Sequence, residues 1–188
     1  MVGRWGIFES WPKGSFFIGR SCWGPVPRRN SLQEMKLSDL LNEKAICTSL
    51  KSSAKEEVIE ELVNLLEEAH GIDSGGEILN RVVEREAMMS TGIGNGVAIP
   101  HGKARSIHSL LAACGIAPEG LDFQSVDGES VILFILLVSP EEFRGPHVRA
   151  LANISRLLKE EDTREHLKRS ASAQEFLEVL KQAETKFL

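Results

Sequence analysis

The stretch Met89-Ser90-Thr91-Gly92-Ile93-Gly94-Asn95-Gly96-Val97-Ala98-Ile99-Pro100-His101-Gly102-Lys103 holds the residues best suited to chemistry. Glycines at every second position, Gly92, Gly94 and Gly96, exclude a helix interior and make poor strand material, so this part reads as a loop with special backbone angles. Val97-Ala98-Ile99 reads as a short strand that Pro100 stops, leaving His101 at the strand's mouth with glycines on both sides. A neutral imidazole, with an ordinary pKa of about 6.5, is an uncharged nucleophile at neutral pH and can give back what it takes up. The reaction that suits it is reversible phosphoryl transfer. One ring nitrogen attacks while the other keeps its proton in a hydrogen bond. The transferring group spreads negative charge over its oxygens, and positioned donors must neutralise it. Backbone amides of Gly92, Gly94 and Gly96, and those following Gly102, are the candidate donors. The Thr91 hydroxyl either joins them or only shapes the turn. Lys103 either steers an anionic partner or is an ordinary exposed lysine.

Two further residues are candidates. His147 follows Phe143-Arg144-Gly145-Pro146 at the start of a helical pattern. It reads as a polar residue at a helix start, or as a ligand group placed where α/β sheets gather ligands, beyond the carboxyl end of a strand. Arg85, sixteen residues before His101, reads as solvated charge at a helix end, although an arginine fork also suits phosphate recognition. His70, His108 and His166 read as surface residues. No His, Cys, Asp or Glu set has a recognisable ligand spacing, so neither a metal nor a cofactor is expected.

The elements that must position these groups follow from periodicity. Leu37, Leu40 and Leu41 suggest one helical turn and Ala45 to Leu50 a strand. Ser53 with Glu56 and Ser74 with Glu77 have the spacing of capping boxes opening two helices, the first closed by Gly71 and the second ending near Met88. Ser109 to Ala117 reads as a buried strand with Pro118-Glu119-Gly120 as its turn, and Val126 to Glu129 as another turn. Val131 to Val138 is apolar at every position, as a central strand covered on both faces would be. His147, Leu151, Ile154 and Leu158 recur at helical spacing, and Asp162 with Glu165 and Ser172 with Glu175 open two more helices. The sum is an α/β chain: one compact domain over 35–188, with a mixed sheet of four or five strands sandwiched between helical layers.

Composition narrows the function. The chain has 188 residues, 42% hydrophobic and 26% charged, as in an ordinary globular protein. A net charge of -5 argues against nucleic acid as the main partner. Its longest apolar run is far short of the roughly 20 residues that span a bilayer, so no membrane insertion is expected. Three cysteines without metal or C-x-x-C spacing suit a reducing, cytoplasmic setting. Residues 1–34 differ in kind. They hold all three tryptophans, with five basic residues against two acidic ones, and show little periodicity. They read as an irregular, disordered extension ahead of Met35, with a targeting segment or a tail that docks through Trp and Arg as the other readings.

The run from Ser90 to Lys103 also resembles the active-site signature of the mannitol/fructose-type enzyme IIA domains of the bacterial sugar phosphotransferase system, and among these most of all the stand-alone nitrogen-regulatory branch. The resemblance covers roughly residues 35–185, and Met35-Lys36-Leu37-Ser38-Asp39-Leu40-Leu41 looks like that family's N-terminus. It implies that His101 is the phosphorylated nucleophile, that His147 lies beside it and supports the phosphoryl group, and that Arg85 stands near the site. It implies a cytoplasmic phosphocarrier that takes its phosphoryl group from an HPr-type phosphohistidine protein. The group then passes to a IIB domain, or the phosphorylation state signals to a regulatory target. A different class keeps the fold without transfer, as a binding module that controls transporters or kinases by contact.

Overall fold

A computed structural model describes residues 35–188. The expectations for residues 1–34, together with Cys22, lie outside the described residues.

The sheet is organised by its all-apolar strand. In chain order the strands are β1 (Ile46–Cys47), β2 (Gly92–Gly94), β3 (Val97–Ala98), β4 (His101–Ala104), β5 (Leu111–Leu121) and β6 (Val131–Pro140). They lie in the order β1-β5-β6-β3-β2, with β4 also paired to β6. β5 and β6 are antiparallel, whereas β1 on β5, and β3 and β4 on β6, are parallel. The all-apolar run is therefore central, and its side chains from Leu133 to Val138 are fully buried. Leu133, Ile135 and Leu137 enter one core with α3 (Arg144–Lys159), α4 (Glu161–Lys168) and α5 (Ala173–Phe187). Phe134, Leu136 and Val138 enter the other core with α1 (Lys55–His70) and α2 (Gly75–Met88). A strand covered on both faces has no polar side to show, which is why the run lacks alternation. The expected α/β sandwich of five helices is observed.

Several local expectations are corrected. The sheet has six strands because the glycine run is not all loop: Gly92–Gly94 pairs antiparallel with β3 across a bulge. Gly94, Asn95 and Gly96 hold the connecting turn at φ values of 93°, 56° and 72°. Glycine carries such angles without penalty, and asparagine is among the few other residues that tolerate them. Pro100 interrupts a strand rather than ending it. Val97 pairs with Leu133, Ala98 with Phe134 and His101 with Leu137, so β3 and β4 keep one register along β6. The strand of β5 runs through Pro118-Glu119-Gly120 to Leu121, absorbing the turn signal as an irregularity between Ile116 and Leu121. Ala45 to Leu50 gives only the two-residue β1 after a 3-10 turn at Glu43–Ala45.

The capping boxes fare unevenly. Ser172 caps α5 by accepting from the Glu175 amide at 3.2 Å. Ser53 does not cap α1, which starts at Lys55 after Ala54; its own amide donates to Glu57. At α2 the start is satisfied from outside, because Glu67 accepts from the amides of Ser74 and Gly75. Glu77 turns away and accepts from the Arg105 and Ser106 amides. Gly71 closes α1 in the left-handed conformation as expected.

Candidate functional site

His101 opens β4, the strand on which the sheet meets α2 on one face and α3 beyond the other. His101 and Lys103 point to one side of β4. Gly102 points to the opposite side, where a Cβ would meet Val82 of α2 at 2.9 Å. That close approach brings the last turns of α2 level with the imidazole. An open cavity of about 720 Å³ results, lined by Arg81, Glu84, Arg85 and Met88 of α2, His101 to Lys103 of β4, and Glu141, Arg144, His147 and Val148. Most of its charged groups are cations.

The hydrogen bonds of His101 fix its tautomer. Nδ1 lies 2.8 Å from the Ile99 carbonyl oxygen, which can only accept. Nε2 lies 3.1 Å from Arg85 Nε, which can only donate. Both partners demand the neutral ring with its proton on Nδ1 and a lone pair on Nε2. Burial, the largest influence, and the Arg85 charge push the imidazole below its ordinary pKa, against the Ile99 bond and Glu86, which favour the protonated ring. The ring is nonetheless only half-buried and reaches the cavity. It is therefore an accessible nucleophile whose attacking nitrogen is predetermined.

Arg85 does two things at once. While Nε addresses His101, Nη1 donates to the Met89 carbonyl at 2.8 Å. Two donors of one planar group are thus fixed in place, something a lysine cannot reproduce.

His147 sits in the first turn of α3, 5% exposed, its ring centroid 5.5 Å from that of His101 with the planes inclined by 54°. Its Nδ1 is 2.9 Å from the Ser139 hydroxyl on β6, leaving Nε2 for a ligand. Burial chiefly, and then the charges of His101 and Lys103, lower its pKa to about 4. At neutral pH both imidazoles are uncharged.

Residues 39–183 match the family described as "Phosphoenolpyruvate-dependent sugar phosphotransferase system, EIIA 2". The chain belongs to this family. A nitrogen regulatory protein of Bradyrhizobium diazoefficiens is 34% identical over 146 residues, covering 78% of this chain and 95% of that protein. The fructose-specific EIIABC component of Bacillus subtilis is 32% identical over 148 residues, covering 79% of this chain; the chain spans only 23% of that protein's length. The crystal structure of nitrogen regulatory protein IIA-Ntr from Neisseria meningitidis superposes with a TM-score of 0.71 at 29% identity, over 76% of this chain and 97% of that one.

In this EIIA type 2 chain the structure brings His101, His147, Arg85 and Gly102 to one cavity and leaves four expected loop residues out of it. Thr91 is buried, and its amide and hydroxyl both donate to Glu86. The Gly92 amide donates to Ser90 Oγ and the Gly94 amide to Ser125 Oγ. Gly92 packs on Ser125, Gly94 on Asp127 and Gly96 on Lys168. The glycine-rich hairpin therefore uses its special angles to fold against neighbouring loops: the amides of Gly92 and Gly94, expected to face a phosphoryl group, are engaged elsewhere, and Gly96 does not line the cavity. Ile99, just before Pro100, lies in the core, while Met88, Met89 and Ile93 are exposed.

Sequence reasoning missed Ser139, Arg144, Arg81 and Glu86. Ser139 sits just before Pro140 at the end of the recognised strand, so its nearness to the helix that follows was the available signal. Arg144 shares a helical face with His147 by its i, i+3 spacing. Glu86 follows Arg85 at the charged end of α2 and is only 6% exposed. Among the described residues no group of His, Cys, Asp or Glu could hold a metal ion, and no helix is long and apolar enough to cross a membrane.

Proposed function

We propose that the chain is a cytoplasmic phosphocarrier in which His101 Nε2 accepts a phosphoryl group from the phosphohistidine of an HPr-type protein. The Nε2 lone pair forms the new N–P bond as the donor's N–P bond breaks, its electron pair staying on the donor nitrogen. The Nδ1 proton stays on His101, hydrogen-bonded to the Ile99 carbonyl, so the ring takes on the positive charge that the donor's protonated phosphohistidine ring gives up, and no base is needed. Arg85 follows the lone pair it now contacts and donates to the phosphoryl oxygens. Arg144 and Lys103 supply further positive charge from the cavity wall. Ser139 Oγ lies 2.9 Å from His147 Nδ1 and 3.3 Å from the Pro140 carbonyl; with its single proton placed on the shorter contact, His147 keeps its own proton on Nε2 for a hydrogen bond to the same oxygens. The group then passes to a IIB domain, or its presence signals to a regulatory target.

The observation that carries this reading is the forced tautomer. A carbonyl on one nitrogen and a guanidinium on the other leave the imidazole neutral with Nε2 as its nucleophile. A structural histidine in a turn would need only one such partner. Incubation with the phosphorylated carrier tests it. Acid-labile, base-stable label on the wild type that is absent from His101→Ala supports transfer, whereas an unlabelled wild type leaves the contact-only binding module.

A further inference from the structure

Arg85 depends for its position on a turn that another charged residue holds. Glu86, the next residue of α2, is buried on the side of the helix away from the cavity. Its carboxylate accepts from the Thr91 amide at 3.0 and 3.1 Å and from Thr91 Oγ1 at 2.5 Å. It also pairs with Lys55 Nζ at 2.7 Å. Lys55 opens α1, donates to Gln124 Oε1 at 3.1 Å and stands 4.7 Å over the Phe123 ring. Ser90 Oγ donates to the Phe123 carbonyl at 2.9 Å, so the middle of the turn is tied to the same platform. Met89, whose carbonyl receives Arg85 Nη1, is 71% exposed, so the core does not hold it in place.

We propose that Glu86, seated on Lys55, is a positioning residue for phosphoryl transfer: it anchors the Met89–Thr91 turn whose carbonyl aims Arg85 at His101. Consecutive residues of one helix thus grip the same turn from two sides, Arg85 at Met89 and Glu86 at Thr91. Stability alone does not account for the arrangement. A buried ion pair is often replaceable by apolar groups of similar volume without loss, whereas removing one partner leaves the other charged and desolvated. Fixing a geometry does account for it, since small misplacements of a group that contacts the reacting atoms cost large factors in rate.

The inference rests on the phosphoryl reading of His101, and the test separates the two. The full chain carrying Lys55→Met with Glu86→Leu, which leaves no unpaired charge, is compared with Glu86→Asp, Thr91→Val and wild type. Two quantities are read: single-turnover phosphoryl acceptance from the phosphorylated HPr-type carrier, and the ¹⁵N resonance of His101 Nε2. The double variant is expected to lose about tenfold or more in maximal rate, with the half-saturating carrier concentration unchanged because the docking surface is intact. Its Nε2 resonance moves toward that of a ring without a donor. Glu86→Asp recovers most of both, and Thr91→Val shows a smaller loss of rate. A folded double variant with wild-type maximal rate and an unmoved Nε2 resonance overturns the proposal. If the double variant does not fold, Thr91→Val with wild-type rate and resonance overturns it instead. An unlabelled wild type sinks only the phosphoryl reading, and the Nε2 resonance still decides whether Glu86 aims Arg85.

Discussion

Arg85 Nε lies 3.1 Å from His101 Nε2, so the nitrogen assigned as nucleophile is already hydrogen-bonded by the group assigned to neutralise what it will carry. A guanidinium so placed keeps the lone pair from being protonated, and it has little distance to travel when phosphorus replaces the hydrogen bond.

Arg85→Ala should therefore slow phosphoryl acceptance without unfolding the domain, because the side chain contacts the cavity rather than the core. Hydrogen bonds to charged groups are worth about 1.5–3 kcal/mol, which corresponds to roughly a ten- to hundredfold loss in rate. Arg85→Lys should recover little, since one ammonium cannot serve both His101 and the Met89 carbonyl. Rapid-quench measurement of label transfer at saturating donor gives the comparison. Full activity in Arg85→Lys would show that charge alone suffices.

The pH dependence follows from the direction of two shifts. Attack needs neutral His101, and burial holds its pKa below the ordinary value of about 6.5. The rate of acceptance should stay level as pH falls from 8 through about 6.5 and decline only in more acidic solution. An exposed histidine would already have lost half its neutral form at about 6.5. Stability behaves differently. The unfolded chain takes up a proton on each of these rings near pH 6.5, while folded His147 resists until about 4. The unfolded state then binds more protons, so the contribution is whole above about 6.5 and shrinks as pH falls toward 4. Urea unfolding at pH 7.5 and 5 should show the loss in wild type and a smaller one in His147→Gln. Equal losses would mean that His147 is not the titrating group.

What the sequence disclosed and what it concealed divide by the range of the interaction. The buried strand Val131 to Val138 and the helix stripes were legible because burial leaves a local pattern along the chain. His101 was legible because glycines and Pro100 punctuate it within a few residues. The glycine hairpin was misread, since what occupies its amides, Ser125 beside Gly94 and Asp127 beside Asn95, lies about thirty residues on, at separations of 31 and 32. Glu67 taking over the start of α2 from Glu77, and Glu86 buried under Lys55, are likewise tertiary choices. Nothing in a capping-box spacing or a charged helix end announces them.

His147→Ala should slow transfer with the fold intact, and Ser139→Ala should reproduce part of that loss. Ser139 Oγ lies 2.9 Å from His147 Nδ1 and 3.3 Å from the Pro140 carbonyl. With the hydroxyl proton on the shorter of these contacts Ser139 selects the Nε2–H tautomer of His147, and without it a fraction of molecules offers the phosphoryl group a lone pair instead of a donor. The expected decrease is about tenfold or more for His147→Ala. For Ser139→Ala it is smaller, and the ring should show a mixed tautomer by ¹⁵N NMR. Unchanged kinetics in His147→Ala would make it a bystander.

Gly102→Ala tests how the sheet sets the site. The added methyl would stand 2.9 Å from Val82 Cγ2, 3.2 Å from the Val82 amide nitrogen and 3.3 Å from the Arg81 carbonyl carbon. The first neighbour is a side chain without room to turn in a core where Val82 is fully buried, and the other two are helix backbone. Relief must come from α2 moving off β4. Overpacking of this kind costs about 1–3 kcal/mol, which thermal melting should record as a drop of several degrees. Because α2 also carries Arg81 and Arg85, the same shift should lengthen the contact with His101 and lower the transfer rate in molecules that remain folded. A stable variant with undiminished transfer would show that α2 can retreat without taking Arg85 with it, and that the tight β4–α2 contact is packing alone.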